Sequence, residues 1–326
     1  SFVVYGDDAG IISITGGSGA DTIDLTGRTY ATSSAVAQSF TGGTGADTIV
    51  IDQGIAVSNT NAKDSTKHVY EAETLHFKEK TTAADVTLEV GAITGVTAIK
   101  VEMLGGDTDG GGADLDVATI TGITTQTVVV DHTTSAAAVG NTDGVHVTAA
   151  LSDATGSTDS LTIGVTNSAD DASSELGLLT SSGAIETVNL TATNVETYTI
   201  ASLQAASAKT LNIAATGAGK LVVGTLAASN LAASTASTNS IIDASASTAK
   251  LELGDSGTAG FEASSITLTG GSNDDKFYFG TTLDSSEIVD GKAGTDTIFF
   301  TEGSSTTSLK PTLTAEVLDI AGVDTA

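Results

Sequence analysis

From residue 187 onward a short run of β-branched and apolar residues returns about every ten to thirteen positions, with Gly, Ser, Asp or Asn between returns. The runs are TVNL at 187, TYTI at 197, TLNI at 210, LVV at 221, SIID at 240, KLEL at 250, SITL at 265, KFYF at 276, EIV at 287 and TIFF at 297, and two of the intervals are longer. Alternation with period two is the signature of strands, and helical periodicity is nearly absent. A strand every ten residues fits a β-sandwich, or a solenoid whose coil of roughly twenty residues contributes two strands. The core chemistry favours the solenoid. With no Trp, no Cys and 4% aromatic residues, Val, Ile, Leu and Ala must supply the buried surface, and these suit thin stacked layers. The expected fold is all-β: elongated parallel β-roll or β-solenoid strands, with room for a β-sandwich-like portion.

The formal charge is −28, from 40 acidic against 12 basic residues. Such a surface repels nucleic acid and anionic membranes and attracts soluble cations. A hydrophobic content of 40% and a positive mean hydropathy argue against disorder. The absence of Cys removes disulfides, zinc–thiolate sites and thiol nucleophiles together, and is compatible with life outside a bacterial cell. No apolar run reaches the roughly 18–20 residues of a membrane helix, so no membrane insertion is expected, and SFVVYGDDAG at the start lacks the pattern of a signal peptide. A chain that starts without Met and stops at AGVDTA reads as a piece of something longer.

One phrase is written twice: TGGSGADTIDL at 15–25 and TGGTGADTIVI at 41–51. Glycines permit a turn tight enough to aim several carbonyl oxygens at one point, and an Asp adds a carboxylate. A hard cation such as Ca²⁺ takes six to eight oxygens of this kind. Residues 16–24 and 42–50 match the Ca²⁺-binding nonapeptide G-G-x-G-x-D-x-U-x at every defined position. Residues 270–278 depart only at Asn273, which accepts left-handed backbone angles, and 291–299 only at Lys292, which places a cation near the proposed metal. Asp21 and Asp47 are 26 apart and Asp275 and Asp296 are 21 apart, against roughly 18 for turns that share an ion. Extra loop residues would bring each pair into register, giving two short rolls, one near each end.

Asp107, Asp109 and Asp114 lie among the glycines of 105–116, a candidate third ion site, although Asp116 falls where the apolar anchor belongs. Asp7 and Asp8 could close the first roll or form an acidic turn. The phrases AETL, IETV, VETY and AEVL recur at 72, 185, 195 and 315. Their Glu73, Glu186, Glu196 and Glu316 are expected on the face opposite their apolar neighbours, as a solvated ladder without chemistry. Residues 55–85 are charge-dense, residues 225–249 are Ala/Ser/Thr-rich, and the glycine cluster at 104–117 is the expected internal boundary. The expected domains are 1–104, 105–182 and 183–326.

The run GAIETVNLTATNVETYTIASLQAASAKTLNIAATGAGKLVV (183–223), continuing into SSITLTGGSNDDKFYF (264–279), resembles the calcium-dependent surface-layer proteins of Gram-negative bacteria, the Caulobacter type most closely, and more broadly secreted proteins with repeats-in-toxin motifs. The resemblance covers roughly a hundred residues, with the turns at 16 and 42 in the same style. It implies type I secretion, an extracellular cell-surface location, Ca²⁺-triggered folding and self-assembly into a two-dimensional lattice. It also implies attachment to surface polysaccharide through a portion with no counterpart here. Carried over, the ligands would be carbonyls of Gly16, Ser18 and Gly19, of Gly42, Thr44 and Gly45, of Gly270, Ser272 and Asn273, and of Gly291 and Gly294. The carboxylates would be those of Asp21, Asp47, Asp275 and Asp296.

The main rival is a secreted hydrolase with the same turns, and a non-enzymatic reading is preferred to it. The four histidines, at 68, 76, 132 and 146, form no His-Glu-x-x-His helix, and no G-x-S-x-G elbow occurs. His68 and His76 read as surface side chains beside Glu71 and Glu73. An adhesin stalk built on the same turns is a third reading.

Overall fold

In the computed structural model the described residues are 2–3, 12–26, 38–52, 68–78, 86–90, 95–103, 117–132, 146–167, 173–193, 196–226, 240–254, 261, 266–280, 287–300 and 319–321. The chain divides into two compact units, Ser1–Asp153 and Ala154–Ala326. The glycine cluster expected as a boundary lies outside the described residues, except for Val117, as do Asp7, Asp8, Asp107, Asp109, Asp114 and Glu316.

Each unit is a parallel β-solenoid in which successive coils contribute one strand to each of two sides. In the first unit, one side stacks Phe2–Val3, Thr22–Asp24, Thr48–Asp52, Thr74–Lys78, Ala98–Met103 and Thr127–His132. The strands between them form two shorter stacks: Ile12–Thr15, Gln38–Thr41 and His68–Glu71, then Val86–Glu89, Val117–Ile123 and His146–Leu151. In the second unit, one side stacks Ser160–Asn167, Thr187–Thr193, Thr210–Thr216, Ser240–Asp243, Ile266–Thr269, Ile288–Asp290 and Asp319–Ala321. The other stacks Ser173–Ser182, Thr197–Gln204, Lys220–Thr225, Lys250–Leu253, Lys276–Gly280 and Thr297–Phe300.

Every described pairing within a unit is parallel, so no antiparallel β-sandwich portion exists among the described residues. Nor is the solenoid confined to two end segments. Coils pair throughout each unit, because the spacing needed for stacking is carried by the strands rather than by the glycine turns. All ten runs read from residue 187 onward lie in strands that start within a residue of the run, and the first four of these strands continue two to four residues past it.

Alternation fixes what is inside. In the first unit Ile23, Ile49, Leu75, Ile99 and Val128 stand in register as one buried ladder, at most 2% exposed. In the second, Leu161, Val188, Leu211, Ile242, Leu268 and Val289 do the same. A fully buried Leu, Ile or Val contributes about 1.5–3 kcal/mol relative to exposure, so these ladders are the main cohesive element between coils. Small apolar side chains suffice because each rung needs only to touch the rungs above and below.

Candidate functional site

The four nonapeptide turns lead into the strands Thr22–Asp24, Thr48–Asp52, Lys276–Gly280 and Thr297–Phe300. The extra loop residues act as expected: Thr22 pairs with Thr48 and Lys276 with Thr297, so each pair of turns is stacked in register. Asp21, Asp47, Asp275 and Asp296 occupy the position two residues before an inward apolar side chain and so share its side of the strand. Asp47, Asp275 and Asp296 are at most 2% exposed.

Those carboxylates meet the backbone of the coil next door. The Asp21 N–H donates to Asp47 Oδ1 at 2.8 Å, and the Asp275 N–H donates to Asp296 Oδ1 at 2.8 Å. Leu251 N–H donates to Asp275 Oδ1 at 3.0 Å. Each carboxylate thus satisfies a backbone donor that opens the adjacent coil's strand, where the regular ladder has not yet begun.

Within each pair the two turns are of different kinds. In the first turn the second-position N–H folds back onto its own Asp: Gly17 to Asp21 Oδ2 at 2.7 Å and Gly271 to Asp275 Oδ2 at 2.8 Å. In the second turn, positions two and four are left-handed: Gly43 and Gly45 at φ 105° and 145°, Lys292 and Gly294 at φ 67° and 132°. There the turn leans on the coil before it, with Thr44 N–H donating to Gly17 O at 3.1 Å. Gly45 and Gly294 have a second reason to be glycine, because a Cβ on either would collide with the carbonyl of Gly19 or Asn273. Asp47 Oδ2 is buried and accepts no hydrogen bond among the described residues.

Asn273 is not left-handed; its amide donates to Thr248 O at 2.5 Å, tying the turn to another coil. Lys292 is left-handed, but its ammonium lies 2.7 Å from Asp290 Oδ2, and its backbone N–H donates to Asp290 Oδ1. Its charge is committed to Asp290. Ser18, Gly19, Thr44, Gly45 and Ser272 are exposed, Gly16 and Asn273 intermediate, and Gly42, Gly270 and Gly291 buried.

The reading of the AETL and IETV glutamates is corrected. Period two places Glu73 on the side of Leu75 and Glu186 on the side of Val188, not opposite them. Glu73 Oε2 accepts the Asp47 N–H at 2.8 Å, extending the ladder from Asp21 through Asp47. Glu186 Oε2 accepts the Asp159 N–H at 2.9 Å, while Gly156 N–H closes onto Asp159 Oδ2. Asp159 was missed altogether. The signal was present: an acid, then Thr, Ser or Lys, then an apolar residue, begins at 21, 47, 73, 159, 186, 196, 275 and 296. Glu196 follows the pattern yet is exposed.

The electrostatics differ along these ladders. Burial pushes the Asp275 carboxyl up to about 6, the hydrogen bonds from Gly271 and Leu251 opposing it and the nearby Asp296 and Asp274 adding to it. Exposed Asp274 is held below its ordinary value by the Thr295 N–H and then by Lys250. His76 also departs from its expected surface role. It is half-buried, with Nε2 2.6 Å from Glu102 Oε2 one coil on, and burial with Lys100 nearby lowers its pKa despite that carboxylate.

Chemically, the turns offer hard oxygen donors, backbone carbonyls with one or two carboxylates. Among the described residues no three His, Cys, Asp or Glu side chains converge as a metal-binding group. Any ion at these turns would therefore rest largely on carbonyl oxygens, a donor set that suits Ca²⁺ and not zinc or copper. The buried Asp47 oxygen without a hydrogen bond fits such an ion. Comparison with protein families, curated proteins and solved structures found no match to this chain.

Proposed function

We propose that this chain is the array-forming part of a calcium-dependent surface-layer protein, a non-enzymatic building block secreted to the cell surface, where copies assemble into a two-dimensional coat. The observation that carries the reading is the in-register stacking of two glycine–aspartate turns in each unit with carboxylates buried between coils. The resemblance of residues 183–279 supports it from the side of sequence. Ca²⁺ would be held by carboxylates of Asp21, Asp47, Asp275 and Asp296 together with turn carbonyls, and would supply the positive charge that these stacked acids lack. A carboxylate buried beside others is costly while ionised, and a hard cation offsets that cost.

Calorimetric titration with Ca²⁺ and Mg²⁺, hydrogen exchange in chelator, and electron microscopy test the reading together. Expected are Ca²⁺ binding that Mg²⁺ does not reproduce, loss of amide protection at 16–26, 42–52, 270–280 and 291–300 in chelator, and ordered sheets in millimolar Ca²⁺. Unchanged protection in chelator would overturn the calcium role. Monodisperse molecules at high Ca²⁺ would overturn the lattice role.

A further inference from the structure

The second unit presents one sheet face unlike the rest of an acidic chain. Ser160–Asn167, Thr187–Thr193 and Thr210–Thr216 pair over seven consecutive positions at each junction, without a bulge. Their inward side chains are the buried ladders. Outward stand four columns: Ser160, Thr187, Thr210; Thr162, Asn189, Asn212; Gly164, Thr191, Ala214; and Thr166, Thr193, Thr216. Charged residues make up 16% of the chain, and none of these positions carries a charge. The next strand in register ends the neutral stretch, where Asp243 continues the column of Asn212. Thr191, Thr193 and Thr216 are exposed, while Gly164 is buried.

The face is also held still. Asn212 Nδ2 donates to Asn189 Oδ1 at 2.8 Å, and Asn189 Nδ2 donates to Ser160 Oγ at 2.9 Å, a chain of amides across three coils. Thr166 Oγ1 donates to Thr193 O at 2.9 Å and Thr216 Oγ1 to Ala192 O at 3.3 Å. Side chains fixed in this way lose little further freedom when a surface covers them.

We infer that this face is a contact between copies of the chain, two such faces packing against each other. The inference rests on the lattice reading and names the surface through which copies meet. Two molecules that each carry −28 repel wherever their acidic surfaces approach, and salt near 0.1 M screens only beyond about 10 Å. Contact is least opposed where no charge has to be buried. Flat sheet faces pack about 10 Å apart, and identical uncharged polar side chains with an amide ladder interdigitate in dry sheet-to-sheet interfaces. At ordinary strand spacing and rise the face covers on the order of 300 Å². That is well below the roughly 800 Å² per partner of a stable pairwise complex, so it suits one of several contacts in an array. A charged partner has nothing complementary on these three strands; beyond them the column of Thr210 continues in exposed Ile241.

The chain contains no Cys, so single-cysteine variants report cleanly. Full-length Thr191→Cys on the face, and Thr199→Cys on the other sheet as control, are treated in Ca²⁺ with a short thiol cross-linker. Thr191→Glu is imaged beside wild type, and circular dichroism confirms that each variant is folded. Expected is at least fivefold more cross-linked dimer from Thr191→Cys than from Thr199→Cys, with sheet order lost in Thr191→Glu. If wild type forms no sheets but Thr191→Cys still cross-links selectively, the face contact stands and the lattice reading falls. If Thr191→Glu forms sheets as wild type does, or both cysteines cross-link equally, the face is overturned and the lattice reading is untouched. Selective binding of wild type over Thr191→Glu to ice or to an insoluble polysaccharide, without selective cross-linking, also overturns it and assigns the face to that ligand.

Discussion

In the first unit the paired turns carry their acids with no lysine among the described residues of the turns: Asp21 and Asp47 are followed in the next coil by Glu73, one acid handing its backbone N–H to the carboxylate of the next. In the second unit the same handover, Asp275 to Asp296, is rimmed by cations, with Lys250 3.2 Å from Asp274 and Lys292 2.7 Å from Asp290. The bond lengths of the two handovers are equal, while the surroundings are not. The comparison separates two roles that the motif joins. The backbone geometry needs a carboxylate at a fixed place in both units; the surroundings differ in that the second unit has lysines close by, bonded to Asp274 and Asp290 rather than to Asp275.

The largest expected effects strike the geometry common to both units. Gly45→Ala and Gly294→Ala each force a side chain into a left-handed turn and onto a neighbouring carbonyl. A loss of about 2–4 kcal/mol is expected in chemical denaturation. Gly19→Ala, whose Cβ would meet nothing within 4 Å, should fall within about 0.5 kcal/mol of wild type. Equal losses at Gly19 and Gly45 would break the distinction between first and second turns.

A smaller effect is expected at the carboxylate ladder. Glu73→Ala leaves the Asp47 N–H without its acceptor, and Glu186→Ala does the same to Asp159. Each should cost about 1–2 kcal/mol, whereas exposed Glu196→Ala should cost little. Denaturation midpoints that do not separate Glu196 from the other two would return all three glutamates to a solvated ladder.

The smallest effect is one of sign. Asp275 has a folded-state pKa raised to about 6, so the folded chain holds that proton more tightly than the unfolded one. Its ionisation weakens the fold above about pH 6, and acidification from pH 7 to 5 in chelator should stabilise residues 270–300. His76 and His146, in the first unit, are lowered mainly by burial. Their unfolded forms take up protons first, so stability contributed there is lost as pH falls below the ordinary histidine value. Hydrogen exchange at pH 7 and pH 5 should therefore move the two units in opposite directions, with Asp275→Asn abolishing the gain in the second. Parallel movement would show that charge is handled alike in both.

Much of this architecture could be read from the chain because it is written with period two. TVNL, TLNI and KLEL announce their inward residues one by one, and spacings of 26 and 21 foretold which turns would stack. What could not be read was which backbone donor each carboxylate would meet, since Asp47 meets Glu73 only through a register set by intervening loops. Glu73 and Glu186 were misjudged through parity, a matter of counting, whereas Glu196 is exposed as expected. Nor could the pairing of Lys292 with Asp290 be read, because Asp290 lies just outside the motif, at the end of the preceding strand.

Because each coil bonds only to the coil before and after it, either unit is mechanically a stack of separate links. Pulled from one end, such a stack has no interior that must give way all at once; the outermost coil peels, its ladder partners lie bare, and the next coil takes the load. A coil of 26 residues, the spacing of Asp21 and Asp47, releases about 90 Å of chain when drawn straight. A coat of such units would absorb strain in small, repeatable increments and leave the coils farther in undisturbed.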